Sequence, residues 1–171
     1  SLRSISLPDT MLSIGESAFA DCASLKYIKI PAGIKQIEDR TFDHCSSLVS
    51  VRIPKGVMTL GSNAFSHCSL LASIDLPDGV ISIGSAAFYN CESLRDVSVP
   101  ASVVAIGQEA FEHTLWLDDQ PDGVLYVNDV LYKYKGKMSP NTTIVIRKEV
   151  VSVTSKAFYG CDSLASIVLP D

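Results

Sequence analysis

Apolar residues recur along this chain with two different spacings inside one unit. In the segment LKYIKIP, residues 25–31, polar and apolar side chains alternate, as they do in a strand with one buried face. The closing proline cannot donate to a β-ladder, so it marks the end of that strand. In the segment IGESAFADC, residues 14–22, apolar side chains lie four, one and three residues apart, which predicts a short α or 3₁₀ turn. Each unit therefore predicts one strand and one helical turn.

The unit repeats with a period of 23 residues. Five prolines, from Pro8 to Pro100, follow one another at this interval. One unit cannot bury its own apolar side chains, but stacked copies can, so the units predict a solenoid with parallel strands about 4.8 Å apart. The aromatic and thiol positions that we expect to form its core ladder are Phe19, Phe42, Phe65, Phe88, Phe111, Phe158, Cys22, Cys45, Cys68, Cys91 and Cys161.

A block without the repeat pattern interrupts the array at residues 117–140. Phe111 and Phe158 are 47 residues apart, which is two periods of 23 plus one, so the last repeat resumes in register. Inside the block, the segment GVLYVNDVLYKYKGK predicts strands over 124–127 and 130–134, joined by a two-residue turn at Asn128 and Asp129. We expect this hairpin to protrude from the solenoid.

The pattern L-x-x-I-x-I-P followed by AF-x-x-C, in five consecutive units and again in a sixth, resembles the BspA-type leucine-rich repeats of bacterial surface proteins. Two departures are Thr114, in place of the fifth cysteine, and Arg147, in place of the sixth proline. The resemblance implies an α/β repeat solenoid: a right-handed leucine-rich-repeat superhelix with parallel strands on one face and short helical turns on the other. We expect residues 1–171 to form one such domain of six repeats, cut from a longer array.

Charge and composition exclude some classes of protein. The net charge of −5 and the pI near 5.1 argue against a nucleic-acid partner, which requires clustered Lys and Arg. The sequence contains no apolar run of 18 residues that would predict insertion into a membrane, and no signal or anchor pattern. The family resemblance implies an extracellular or cell-surface location.

The five cysteines do not have the spacing of a metal site. Zinc sites need short pairs such as C-x₂-C, whereas these thiols are a full repeat apart. Neighbouring thiols would point in parallel directions, which suits a disulfide poorly. We expect free, buried thiols that act as small apolar groups, and no metal or other cofactor.

The three histidines, His44, His67 and His113, share one column of the repeat. Two stacked imidazoles could bind a transition metal, but no carboxylate lies in register with them, so a solvated polar column is the simpler interpretation. The sequence also lacks the motifs of Ser hydrolases, zinc proteases and phosphate-binding loops. We therefore expect no enzymatic activity.

Two groups of exposed residues are candidates for binding a partner. On the strands, Lys26, Tyr27, Lys29 and Arg52 form a basic cluster next to Asp75; a merely solvated face is the alternative. In and beside the hairpin, four of the seven aromatics outside the Phe positions fall within 19 residues, and Tyr and Trp are frequent at interface hot spots. These four are Trp116, Tyr126, Tyr132 and Tyr134; packing of their rings on the solenoid is the alternative.

These observations favour a non-catalytic module for protein recognition or adhesion, because solenoids present extended surfaces that suit protein partners. The resemblance implies host extracellular matrix, host receptors or other bacteria as partners. A structural stalk without a binding face is the alternative, and carbohydrate binding would require the hairpin tyrosines to lie on one face. Neither end of the sequence has a polar capping repeat, so end-to-end self-association is a further expectation.

Overall fold

The computed structural model describes residues 2–169, which form a β-solenoid of about seven turns. The first strand of each repeat lies in one column of parallel strands. These strands are β1 (Ser4–Ile5), β2 (Tyr27–Lys29), β4 (Ser50–Arg52), β6 (Ser73–Asp75) and β8 (Asp96–Ser98). They pair in the orders β1-β2-β4 and β6-β8, each residue opposite the one 23 positions later. The predicted strand column and its register are therefore present.

A second column of shorter parallel strands follows the prolines. It comprises β3 (Gln36–Ile37), β5 (Thr59–Leu60), β7 (Ser82–Ile83) and β9 (Ala105–Ile106), in that order. Its apolar residues, such as Ile37 and Leu60, point into the core. Each coil thus contributes two strands to the wall of the solenoid.

The predicted helical turns on the other face are wrong. Each AF-x-x-C segment consists of consecutive β-turns, and within residues 2–169 the one α-helix is the four-residue α1 (Leu115–Asp118). The reason lies in the backbone hydrogen bonds. The Phe42 amide donates to the Ala64 carbonyl of the next repeat at 2.8 Å, whereas the Asp43 amide donates back to Arg40 at 3.1 Å. A helix would direct every amide into its own segment, but here alternate amides bind the neighbouring coil.

Left-handed residues make this path possible. In each segment the residues two before and two after the phenylalanine have positive φ, for example 56° at Arg40 and 61° at His44. Such values cost an L-residue about 1–2 kcal/mol, so only the stacked coils can maintain them. The coils also approach closely: a Cβ at Gly84 would lie 2.4 Å from the carbonyl carbon of Gly61.

The core is a ladder of stacked rings beside a row of thiols. The phenylalanines from Phe19 to Phe111 stack with ring centroids 5.2–5.5 Å apart. Cys45, Cys68 and Cys91 are buried, and each Sγ donates to a Phe carbonyl of the preceding coil at 3.0–3.3 Å. All five cysteines are free thiols, with Cys22 and Cys161 only partly buried at the two ends. Burial raises the pKa of the Cys45 and Cys91 thiols to about 12.

The hairpin comprises β10 (Gly123–Val127) and β11 (Val130–Lys135), and it does not protrude from the solenoid. Instead β11 pairs in parallel with β13 (Ser152–Val153), so it occupies the place of one coil. Its residues Val130, Leu131 and Tyr132 are almost fully buried, because an isolated hairpin is barely stable in water and gains by packing. The last strands of the first column are β12 (Thr142–Val145) and β14 (Leu164–Val168), which pair in parallel.

Two tyrosines of β11 join the interrupted ladder. The Phe111 amide, which in earlier repeats would donate to a main-chain carbonyl, donates to the Tyr132 hydroxyl at 3.0 Å. On the other side, the Tyr134 amide donates to the Ala157 carbonyl at 2.8 Å. The ring of Tyr132 packs edge-on against Phe111 at 5.8 Å, whereas Phe158 lies in a second apolar cluster beyond the hairpin. We call this connection, formed by Tyr132 and Tyr134, the tyrosine joint.

Candidate functional site

The exposed side of the first strand column is a continuous surface, which we call the strand face. Alternation along each strand turns Ile28, Val51 and Ile74 inward, and every residue beside them outward. The outward residues of the strand face are Tyr27, Lys29, Ser50, Arg52, Ser73, Asp75, Asp96 and Ser98. The structure therefore places the predicted strand residues Tyr27, Lys29, Arg52 and Asp75 together, and Lys26 is exposed at the start of β2.

One half of the strand face is basic. Lys29 and Arg52 are register partners on β2 and β4, so their side chains lie side by side. Lys29 Nζ contacts the Asp9 carboxylate at 2.8 Å, but both side chains are about three-quarters exposed, and such pairs are worth little. Arg52 has no ion-pair partner among residues 2–169. Together with Lys55 these residues line a groove of about 610 Å³ whose charge suits an acidic partner.

The other half of the strand face is acidic. Asp75 and Asp96 lie on neighbouring strands, and a groove of about 460 Å³ runs from Arg52 to Asp75 and Asp78. A basic region and an acidic region thus follow one another along the solenoid axis. A partner with the reverse order of charges would be complementary to this surface.

Trp116 marks the end of the strand face. It lies on α1, half-buried against Phe111 with ring centroids 4.7 Å apart, and it lines a groove with Asp96. The helix begins where the repeat pattern lost its cysteine, because the Thr114 hydroxyl caps α1 by accepting from the Leu117 amide at 3.2 Å. The departure at Thr114 is thus a helix cap, and Trp116 lies at the edge of the strand face.

The hairpin tyrosines do not form a common exposed patch. Tyr132 is only 1% exposed, so its predicted role as a contact for a partner is wrong: its ring fills the core between Phe111 and the last repeat. Tyr126 is half-buried under the Arg147 guanidinium, 3.7 Å from the ring centroid. Tyr134 is half-buried at the tyrosine joint. The aromatic cluster that the sequence indicates is therefore chiefly structural.

A carboxylate from the neighbouring repeat position lies against the histidine column, and the register of the sequence did not predict it. Asp43 Oδ1 lies 2.9 Å from His44 Nδ1 and 3.8 Å from His67 Nδ1, so a carboxylate outside the register of the histidines accompanies two of them. Asp43 precedes the column by one residue, and the left-handed turn at His44 brings it beneath both rings. The only signal in the sequence was the succession of FDHC and FSHC at an interval of 23 residues.

Within residues 2–169 no helix is both long and apolar enough to cross a bilayer. No curated protein sequence is similar enough to the chain to count as a relative. Residues 1–117 and 131–171 match the family profile described as BspA type leucine rich repeat region, in six copies.

Solved structures of bacterial proteins share the fold. A leucine rich cell surface protein from Faecalibacterium prausnitzii is 32% identical with a TM-score of 0.66, and the match covers 98% of this chain and 39% of that protein. The T. pallidum leucine rich repeat protein is 24% identical with a TM-score of 0.66, covering 97% of this chain and 69% of that one. The pneumococcal vaccine antigen PcpA is 20% identical with a TM-score of 0.50, covering 98% and 33%.

The chain thus spans well under half of the F. prausnitzii protein and of PcpA. At 24% and 20% identity, the T. pallidum protein and PcpA show the fold alone. The family profile matches nearly the whole chain and six repeats, and it agrees with the resemblance carried by the proline, phenylalanine and cysteine positions. This chain belongs to the BspA-type leucine-rich repeat family.

Proposed function

We propose that this chain is a non-catalytic recognition module of a bacterial cell-surface or secreted protein, and that it binds a protein partner through the strand face. The observation that carries the proposal is the adjacent pair Lys29 and Arg52, exposed beside a groove and next to an acidic half. Two like charges on neighbouring strands are unfavourable for the sheet alone. A partner that brings carboxylates to them would offset that cost.

The family context supports a protein-interaction role. One structural relative is described as a cell surface protein and another as a vaccine antigen. Solenoids of this kind offer long, shallow surfaces that suit many weak contacts with an extended partner. Tyr27, 57% exposed beside Lys29, supplies the aromatic contact that interface hot spots favour. Host extracellular-matrix proteins with acidic segments are the partner class that we propose.

The test is equilibrium binding of the purified chain to fibronectin and fibrinogen at about 0.15 M salt. The variant Lys29→Glu/Arg52→Glu should weaken binding by about tenfold or more, because it replaces the attraction of two charges by repulsion. The matched control is Lys137→Glu/Lys148→Glu, which changes the net charge equally at two exposed lysines without ion-pair partners among residues 2–169.

Equal binding by both variants would overturn the assignment to the strand face. Loss of binding in the control alone would move the site to the side of the hairpin. Deletion of residues 117–140 is not a suitable control, because it would remove the buried residues Leu131 and Tyr132. If the folded wild-type chain binds none of these proteins, the alternative of a stalk that spaces another domain becomes the better one.

A further inference from the structure

Outside the strand face, the turns of the second and third repeats bring a carboxylate and two imidazoles together. The residues are Asp43, His44 and His67, and one potential ligand atom from each lies within 4.8 Å of the other two. Asp43 is only 5% exposed, whereas its two neighbours are partly open to solvent, with side chains 49% and 37% exposed. A buried carboxylate beneath two accessible imidazoles is a donor set that transition metals prefer.

The backbone holds this cluster in place before any ligand arrives. His44 and His67 have the same position in consecutive repeats and nearly the same left-handed φ, 61° and 59°. Their rings stack with centroids 4.1 Å apart and an angle of 13° between the planes. The His44 amide donates to the Ser66 carbonyl at 2.8 Å, and the Asp43 carbonyl accepts from Asp21 at 2.8 Å. The cluster therefore rests on the ladder that joins the coils.

We propose that Asp43, His44 and His67 form a binding site for a divalent transition-metal ion of the zinc type. Zinc takes imidazole nitrogen and carboxylate oxygen at about 2.0–2.2 Å, so ligand atoms in a tetrahedral site lie about 3.3 Å apart. The distances from Asp43 Oδ1 to the two Nδ1 atoms, 2.9 and 3.8 Å, lie on either side of that value. Rotation of the two partly exposed rings about χ2 turns their lone pairs toward a shared ion.

Residues around the cluster supply the hydrogen bonds that metal ligands require. Arg40 Nε donates to Asp43 Oδ2 at 3.1 Å, which fixes the carboxylate plane, while Oδ1 faces His44 Nδ1 at 2.9 Å. The ion would therefore insert between Oδ1 and that ring nitrogen. The side-chain amide nitrogen of Asn90 lies 3.0 Å from His67 Nε2, and Ser66 Oγ lies 2.8 Å from His67 Nδ1. For Nδ1 to bind the ion, the ion would replace the Ser66 hydroxyl there, and a reversed Asn90 amide would accept the Nε2 proton through its oxygen. Such second contacts orient metal ligands and raise their basicity.

The site would keep an open coordination position. The two imidazoles border a groove of about 400 Å³ that Asp21 and Glu92 also line, so the remaining position faces solvent and further carboxylates. A site with three protein ligands binds water or a ligand from another molecule in its fourth position. The chemistry therefore points to an ion accessible from the side of the solenoid formed by the AF-x-x-C turns, which we call the turn face, and not from the groove between Lys29 and Arg52.

The test is calorimetric titration of the metal-free chain with Zn²⁺, together with visible absorption after addition of Co²⁺. The expected result is one ion per chain, and a Co²⁺ spectrum of nitrogen and oxygen ligands without a thiolate charge-transfer band. His44→Gln and His67→Gln should each weaken binding by about a hundredfold or more, since loss of a second contact alone costs 10–100-fold. His113→Gln is the matched control, because among residues 2–169 only His44 and His67 have a ring nitrogen within 4.0 Å of a carboxylate oxygen.

Two results would overturn the proposal: equal affinity in wild type, His44→Gln and His67→Gln, or a Co²⁺ spectrum dominated by thiolate ligands. Absence of binding by the folded wild-type chain at millimolar Zn²⁺ would also do so. His44→Gln changes a half-exposed side chain and should keep the fold, which circular dichroism checks. Because this test uses the isolated chain and an ion, its outcome is independent of binding to matrix proteins.

Discussion

Replacing Tyr132 by Phe should weaken the solenoid at one known atom. The Tyr132 hydroxyl accepts the hydrogen bond of the Phe111 amide at 3.0 Å, and both residues are almost fully buried. The substitution keeps the ring and removes only that oxygen. The Phe111 amide then remains buried without a partner, because β11 presents no main-chain carbonyl to it.

The expected cost follows from this single loss. An unsatisfied buried amide costs about 1–3 kcal/mol of unfolding free energy. Tyr132→Ala removes the ring as well and leaves a cavity beside Phe111, which raises the cost by about 3–5 kcal/mol. Tyr134→Phe should have almost no effect, because the Tyr134 hydroxyl has no hydrogen-bond partner among residues 2–169 and its contribution to the joint is its main-chain amide.

Urea unfolding measures all three variants against the wild type. With a typical slope of about 2 kcal/mol per molar urea, Tyr132→Phe should lower the midpoint by about 1 M. Circular dichroism reports on the whole chain, and the fluorescence of Trp116, the only tryptophan, reports on the region next to the tyrosine joint. If Tyr132→Phe unfolds at the same midpoint as the wild type and Tyr134→Phe, the hydrogen bond between the Phe111 amide and the Tyr132 hydroxyl does not stabilise the tyrosine joint.

Two further outcomes test the backbone and the thiol row. Gly84→Ala should cost about 1–3 kcal/mol of unfolding free energy by overpacking, because its Cβ would lie 2.4 Å from the Gly61 carbonyl carbon. Gly15→Ala is the control, since a Cβ there meets nothing within 4 Å. Equal urea midpoints for the two variants would contradict the close approach of the coils. Burial raises the pKa of Cys45 and Cys91 from 9.0 to about 12, so the thiols ionise first in the unfolded chain. The contribution of these two thiols to the unfolding free energy should be constant below about pH 8 and fall between about pH 9 and 12 by up to about 1.4 kcal/mol per thiol and pH unit. Cys91→Ala should remove the contribution of one thiol from the slope of unfolding free energy against pH. If the urea midpoints of this variant fall with pH as steeply as those of the wild type, the effect is excluded.

The strand column could be predicted because each of its features has one physical interpretation. Alternation around Ile28 and the following Pro31 together permit a short strand and little else. The interval of 23 residues then fixes the register, and the family assignment derived from it is confirmed by the six-copy match. The strands and their register could be predicted because the residues at these positions allow only one backbone conformation.

The turn face was predicted wrongly because its spacing has two interpretations. Apolar residues four, one and three apart suit a helical turn, but they also suit consecutive β-turns. The distinguishing signal was the residue two positions after each phenylalanine, which is Asp, His, Asn or Gly in every repeat, the types that most readily adopt positive φ. That signal argues against the helix.

The two strands of the hairpin were predicted, but its packing against the solenoid and the contact of Asp43 with the histidines were missed, for a different reason. The block at 117–140 is one residue longer than a period, so it could replace a coil rather than project from the array. The burial of Tyr132 depends on contacts that spacing does not specify. Asp43 was overlooked because register arguments compare identical positions of the repeat. Its contact with His67 joins two different positions of neighbouring coils, which only the path of the backbone reveals.

The tyrosine joint also bears on how such an array avoids misfolding. Because successive repeats are nearly alike, a coil could stack on the wrong copy, shifted by a whole 23-residue unit, with little loss of apolar contact. Among the coils formed by residues 2–169, the hairpin coil alone contains an antiparallel pair of strands, and its Tyr132 hydroxyl accepts from the Phe111 amide. A misaligned chain would leave that partnership unmade and the hairpin exposed. One irregular coil thus fixes the stacking register of all the regular coils.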